Sequence, residues 1–242
     1  MTVAVVLSLQ LPVALGRLIP EAQLFIMFIL FSSKKRMLGR ITASNSAFLL
    51  CDIQGKFRNG IVHFDRVVSV AKRMTAVSSL LKIPLIGERP SSEQTRHLNV
   101  RTTATEQYPQ GLGKLVDDIV LPPGTPVFSK TTFSMMTDDV NAVIAAQPNK
   151  IDAFVLFGIE THACVQATAL DLLEQGKQVH VLVDGCSSRS KLDRSVALNR
   201  IERAGGLLTT SESILFQLMK DAKHPAFKDV QKLIMTPTPQ EW

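Results

Sequence analysis

Six short apolar runs separated by helical stretches constrain this chain more than any other feature. They run from Ala47 to Asp52, Ile83 to Ile86, Thr125 to Lys130, Ala153 to Phe157, Gln178 to Asp184 and Leu207 to Thr210. The runs are continuous rather than alternating, which is the pattern of strands buried on both faces of a parallel sheet. After the first run, Phe64, Val67, Val68, Ala71, Met74, Val77, Leu80 and Leu81 recur at intervals of three and four, which predicts a helix over 62–82 with one apolar face. Thr137 is the expected N-cap of a helix over 138–147, and Ser190 or a neighbour caps one that stops at Gly205-Gly206. Thr209 and Glu212 have capping-box spacing for a helix over 212–221, and His224-Pro225 opens a last helix to about residue 234. The fold class is therefore α/β: a single-domain, three-layer, doubly wound sheet of six mostly parallel strands. No GxGxxG follows the first strand and no phosphate-binding GxxxxGK motif occurs, which disfavours dinucleotide and NTP folds of those kinds.

Composition narrows the function classes. A hydrophobic content of 45% in 242 residues is ample for a core closed on both sides of a sheet. Only 6% of residues are aromatic, and the net charge of +6 is scattered, so no nucleic-acid partner is expected. Three cysteines without a CxxC make neither a disulfide framework nor a zinc site, and they suit a reducing, cytoplasmic compartment. Residues 1–43 stand apart. Two apolar stretches there, 3–7 and 24–31, are separated by Pro12, Arg17, Pro20 and Glu21, and neither alone reaches the ~20 residues of a membrane span. The basic flank Lys34-Lys35-Arg36 follows. This extension reads as a membrane anchor, a mitochondrial or other organelle-targeting segment, or a stretch outside the mature protein. The domain proper is expected over 44–236, with an inserted polar loop at about 87–104 and a tail over 237–242.

The chemistry gathers at one strand–turn–helix unit. The apolar run 153–157 leads into Gly158-Ile159-Glu160-Thr161-His162-Ala163-Cys164, and a helical pattern leads out toward Gly176. A thiol in the first turn of a helix faces unpaired N–H groups and the positive end of the dipole, which favour its nucleophilic form. In doubly wound sheets the ligand lies beyond the carboxyl ends of the strands. Asp52 after the first strand, Lys130 after the third and Cys164 after the fourth fall on that rim. Neighbouring strand ends, ~4.8 Å apart, can bring such side chains together. Cys164 can attack a carbonyl carbon, Asp52 can take the thiol proton and return it to a leaving amine, and Lys130 can hold Asp52 ionised. His162 reads as a structural or pocket residue, and Cys51 and Cys186 as core.

Ordered motifs carry a resemblance. They are Leu49 to Arg58, Thr105 to Gly111, Ser129 to Met135, Gly158 to Val165 and Val183 to Arg189. With them the chain from roughly 44 to 236 resembles the isochorismatase-like cysteine hydrolases, and within them the animal isochorismatase domain-containing proteins. The resemblance implies an Asp52–Lys130–Cys164 triad and an oxyanion hole from the N–H groups of Ala163 and Cys164. It also implies a cis peptide at Ile159-Glu160. Gln54, Phe57, Tyr108, Phe133 and Glu160 are candidate pocket residues. Where nicotinamidases of this family carry Asp-x-His for a metal, Gln54 stands here, so neither a metal nor another cofactor is expected. The implied activity is hydrolysis of a C–N bond in a small amide or carbamoyl compound through a thioester. A protein-binding member with little hydrolase activity is the alternative, and vinyl-ether hydrolysis of isochorismate a third reading. The expected partners are a small-molecule substrate and further copies of the chain, with a protein partner under the alternative reading.

Overall fold

The computed structural model describes residues 39–81, 83 and 102–236. Six strands form one sheet: β1 (Ser46–Cys51), β2 (Thr102–Gln107), β3 (Val127–Lys130), β4 (Ala153–Ile159), β5 (Gln178–Ser187) and β6 (Leu207–Thr209). Their order is β3-β2-β1-β4-β5-β6, and every pairing is parallel. The chain winds outward from β1 to β3, returns to the far side of β1 as β4, and winds outward again. The topological switch point therefore lies between β1 and β4, where such sheets leave a crevice.

Seven helices accompany the described strands: α1 (Phe64–Leu80), α2 (Pro109–Leu112), α3 (Asp138–Ala145), α4 (Gln166–Glu174), α5 (Lys191–Arg203), α6 (Ser211–Met219) and α7 (Phe227–Met235). Helix α1 packs on β4 and β5 and carries α7 on its flank, while α6 also reaches β5 and α7. Helices α4 and α5 pack on each other and on β5. All residues of β1 and β4 are buried, as strands covered on both faces must be. The apolar stripe of α1, including Phe64, Val67, Val68, Ala71, Met74 and Val77, is buried in the common core. Each of these side chains other than Ala71 contributes roughly 1.5–3 kcal/mol relative to exposure.

The caps follow local chemistry. Thr137 accepts from the Val140 N–H at 3.4 Å, and the Ser190 hydroxyl accepts from Leu192 and Asp193 N–H. The cap of α6 is Thr210, accepting from Ser213 N–H, one residue beyond the expected Thr209, which closes β6 instead. A larger difference concerns the second strand. Most of the run at 83–86, and residues 87–101 of the expected loop, lie outside the described residues. The strand between β1 and β3 is Thr102–Gln107, so residues 102–104 are sheet rather than loop. Its threonines supply β propensity without apolar patterning, and the buried Thr103 and Thr105 hide a core strand in a polar sequence. Among the described residues, no helix is long and apolar enough to cross a membrane.

Candidate active site

Three elements end at the crevice. β1 ends at Cys51, and Asp52 follows with φ 48°, a left-handed conformation that Asp tolerates better than most residues. That turn breaks the alternation of the strand and brings the Asp52 carboxylate to the rim. Thr105 fixes it from β2: its Oγ1 donates to Asp52 Oδ1 at 2.7 Å, and its carbonyl accepts from the Asp52 N–H at 3.2 Å. Lys130 is the last residue of the edge strand β3 and must reach across the end of β2. Its Nζ donates to Asp52 Oδ2 at 2.7 Å and to Gln107 Oε1 at 2.7 Å. It also meets the carbonyls of Thr132 at 3.2 Å and Phe133 at 3.1 Å. Both side chains of this ion pair are buried. Burial alone would lower the Lys130 ammonium, but the acidic groups of Cys51, Asp52 and Cys164 outweigh it and raise it above its ordinary value.

The third element is the turn after β4. Gly158 is paired with Cys51 and has φ 131°; a Cβ there would lie 2.0 Å from the Cys51 carbonyl oxygen, so only glycine allows the close approach. The Ile159–Glu160 peptide is cis. Residues Thr161–Val165 then form a π-type turn before α4 begins at Gln166, so Cys164 sits in a wide turn rather than in the first turn of the α-helix. The Cys164 thiol is buried, and its carbonyl accepts from Thr168 Oγ1 at 2.7 Å. The sulfurs of Cys51 and Cys164 and a carboxylate oxygen of Asp52 lie within 4.8 Å of one another.

The structure thus brings Asp52, Lys130 and Cys164 to one buried place and adds residues that the sequence did not single out. Cys51 is in the core, yet its Sγ donates to Asp52 Oδ2 at 3.5 Å. Gln107, through its paired amide, accepts from Lys130 and donates to the Thr131 carbonyl at 2.8 Å. Strict alternation along β1 would have turned Cys51 away from Asp52, so nothing in the sequence marked it. The motif at Thr105 to Gly111 does contain Thr105 and Gln107, but without their partners neither has a legible role.

The other candidates are placed as follows. Gln54 is buried and committed to the backbone: its Oε1 accepts from Gln107 N–H at 2.9 Å, and its Nε2 donates to the carbonyls of Gln107 and Gly113. The Ala163 N–H donates to the Glu160 carbonyl at 3.1 Å. Glu160 accepts from the Arg189 backbone and guanidinium, both at 3.1 Å. His162 turns to Ser188, with Nδ1 and Oγ 3.0 Å apart. Phe57 is partly buried against the core, while Tyr108 and Phe133 are 54% and 63% exposed. Tyr108 lines a cleft of about 330 Å³ with Pro109, Ser129, Lys130 and Thr132. A larger groove of about 580 Å³ runs along α1 past Arg73 and Leu233; it shares no residue with the buried cluster.

Two thiols and a carboxylate at this spacing are a donor set for a soft divalent ion. Here Asp52 already holds the Lys130 ammonium at 2.7 Å, and a metal bound to the same carboxylate would face that cation. The arrangement suits proton transfer and nucleophilic chemistry better. A carboxylate held between a cation and a hydroxyl, beside a thiol in a turn, is equipped to exchange a proton with that thiol.

The fold is a doubly wound parallel α/β sheet with this cluster at its switch point. The isochorismatase domain profile matches residues 46–213. The isochorismatase domain-containing protein 2 of Xenopus laevis is 44% identical over 207 residues, covering 86% of this chain and 92% of that protein. Its Homo sapiens counterpart is 44% identical over 202 residues, 84% of this chain and 89% of that protein. A solved structure described as the MAR1 ribonuclease of Caenorhabditis elegans superposes with a TM-score of 0.72 at 40% identity, over 83% of this chain and 95% of that one. The chain belongs to the isochorismatase family.

Proposed function

We propose that this protein is a cysteine hydrolase that cleaves a C–N bond in a small amide or carbamoyl compound. Cys164 is the nucleophile, Asp52 the proton carrier and Lys130 its electrostatic partner. Asp52 takes the Cys164 proton as the sulfur attacks the carbonyl carbon, and it gives that proton to the departing amine as the C–N bond breaks. The resulting thioester is resolved by water, whose proton passes to Asp52 and then to the Cys164 sulfur. The developing oxyanion is met by the N–H groups of Cys164 and Ala163, the latter exchanging its bond to Glu160 for one to the substrate.

The observation that carries this reading is the placement of the Asp52 carboxylate, bonded to Lys130 at 2.7 Å and lying within 4.8 Å of the Cys164 sulfur. A proton carrier beside a nucleophile needs a fixed opposite charge, which Lys130 supplies at 2.7 Å. Tyr108, exposed in the cleft that Lys130 also lines, is suited to the apolar part of a small substrate.

The test is a panel of small amides, ureides and carbamoyl compounds, with RNA included because one relative is described as a ribonuclease. Wild type should turn over a carbon–nitrogen substrate and accumulate an acyl adduct on Cys164 detectable by intact mass. Cys164→Ala should lose both. Full turnover in Cys164→Ala would rule out the thioester route. A wild type inert to the whole panel, yet retaining specific protein partners in binding assays, would support a binding role for the fold instead.

A further inference from the structure

Cys51 has no part in that hydrolytic scheme, yet its thiol lies inside the site. It closes β1 and donates to Asp52 Oδ2 at 3.5 Å. The two sulfurs are no more than 4.8 Å apart. Their backbones are already neighbours, since Cys51 pairs with Gly158 and Cys164 lies in the turn that follows the same strand. A disulfide needs its sulfurs at about 2.05 Å, so closure requires them to approach by less than about 3 Å.

We propose that Cys51 and Cys164 form a redox-active dithiol, in which Cys51 resolves a peroxide-oxidised Cys164 as an intramolecular disulfide. The proposal rests on the reading of Cys164 as a nucleophile, because the same property makes it the thiol a hydroperoxide oxidises. Cys164 is also the only one of the three cysteine residues with any exposed surface, at 6% against 0% for Cys51 and Cys186. The Cys164 thiolate attacks the outer peroxide oxygen. The O–O bond breaks, Cys164 becomes a sulfenic acid, and the released alkoxide or hydroxide takes a proton from solvent. The sulfur loses two electrons and the peroxide gains them. Cys51 then attacks the Cys164 sulfur, the S–S bond forms and the S–O bond breaks. The Cys51 proton passes through Asp52 Oδ2 to the departing hydroxide, which leaves as water.

Burial pushes the Cys51 thiol well up, with Cys164 and Asp52 adding to the shift and Lys130 opposing it. Cys51 is thus poorly suited to meet the oxidant first and needs a base as it attacks, which Asp52 provides at hydrogen-bond distance. Cys186 makes a natural control. Burial pushes its thiol up to about 12, and its Sγ faces the Leu156 carbonyl. The disulfide withdraws the nucleophile from turnover and holds it in a form that a thiol reductant restores, whereas a sulfinic acid at Cys164 is not restored in that way.

The experiment exposes the full chain to hydrogen peroxide, alkylates the remaining thiols and maps the non-reduced peptides by mass spectrometry. Wild type and Cys186→Ser should both give a Cys51–Cys164 cross-link, with loss of iodoacetamide labelling at Cys164 that dithiothreitol reverses. Cys51→Ser and Cys51→Ala, with folding checked by circular dichroism, should instead accumulate Cys164 sulfinic acid, and labelling should stay lost after reduction. Cys164 sulfinic acid in wild type without any cross-link would overturn the proposal, and that result needs no variant. If Cys164 also alkylates readily and its alkylation stops turnover, the hydrolase reading survives that failure. A Cys164 that takes neither peroxide nor iodoacetamide would overturn both.

Discussion

Lys130→Met tests the electrostatics of the site, because it keeps the length of the side chain and removes only the charge. In wild type the ammonium has four acceptors, two of them at 2.7 Å, and the ion pair is sealed from water. Without it, the Asp52 carboxylate keeps the Thr105 hydroxyl at 2.7 Å and the weaker Cys51 donor, but no opposite charge. Removing one partner of a buried pair costs about 3–5 kcal/mol, because the remaining charge stays desolvated. In a domain of this size each kcal/mol moves Tm by about 2–4 °C, so the variant should melt about 6–20 °C below wild type. Asp52→Asn added to Lys130→Met removes the orphaned charge and should regain at least about 2 kcal/mol over the single variant. Urea unfolding at neutral pH, monitored by circular dichroism for all three proteins, gives both differences. The pair also has a pH signature. The acidic neighbours raise Lys130 despite its burial, so its stabilisation is complete below the unfolded value of about 10.4 and is lost as pH climbs through the higher folded value. The double variant should lack that alkaline loss. A Lys130→Met protein within about 1 kcal/mol of wild type, or a double variant no more stable than the single one, would refute the argument.

Two further predictions concern the frame around the site. Burial pushes His180 down to about 4, and its Nε2 sits 2.6 Å from Gln178 Nε2 as the acceptor of a neutral ring. As pH falls below about 6.5 the unfolded chain takes this proton first, so roughly 3 kcal/mol of stability should disappear between about 6.5 and 4; urea melts across that range should be flatter for His180→Asn. Gly158→Ala places a methyl 2.0 Å from the Cys51 carbonyl oxygen in a backbone conformation unsuited to alanine. It should cost more than about 4 kcal/mol, seen as loss of soluble protein or a collapsed Tm, and a variant melting within about 4 °C of wild type would contradict the close approach.

The strands of the core were legible wherever burial on both faces produced a continuous apolar run, as in Ala47 to Cys51 and Ala153 to Phe157. Helix starts were legible where one hydroxyl decides them, as at Thr137 and Ser190. β2 escaped because Thr103 and Thr105 are buried by pairing rather than by hydrophobicity, so its pattern resembles a loop. The strand ends bearing Asp52, Lys130 and Cys164 could be assigned to one rim from parallel topology alone. That Lys130 reaches Asp52 across β2, supported by Gln107, depends on strand order, which local pattern does not encode. Cys51 is core, as its place inside a strand implies; that its thiol also reaches Asp52 depends on the left-handed backbone at Asp52, which overrides the two-residue period of β1.

The close approach at Gly158 also decides what the protein can do at its surface. Gly158 is paired with Cys51 on one side and with Cys186 on the other, and Cys164 follows in the next turn. Every thiol in the chain is therefore gathered into one buried neighbourhood around a single glycine. Two folded copies bring no surface thiol to each other. Covalently linked dimers on a non-reducing gel would mark molecules that had opened, and their rate of appearance would be a clock for unfolding.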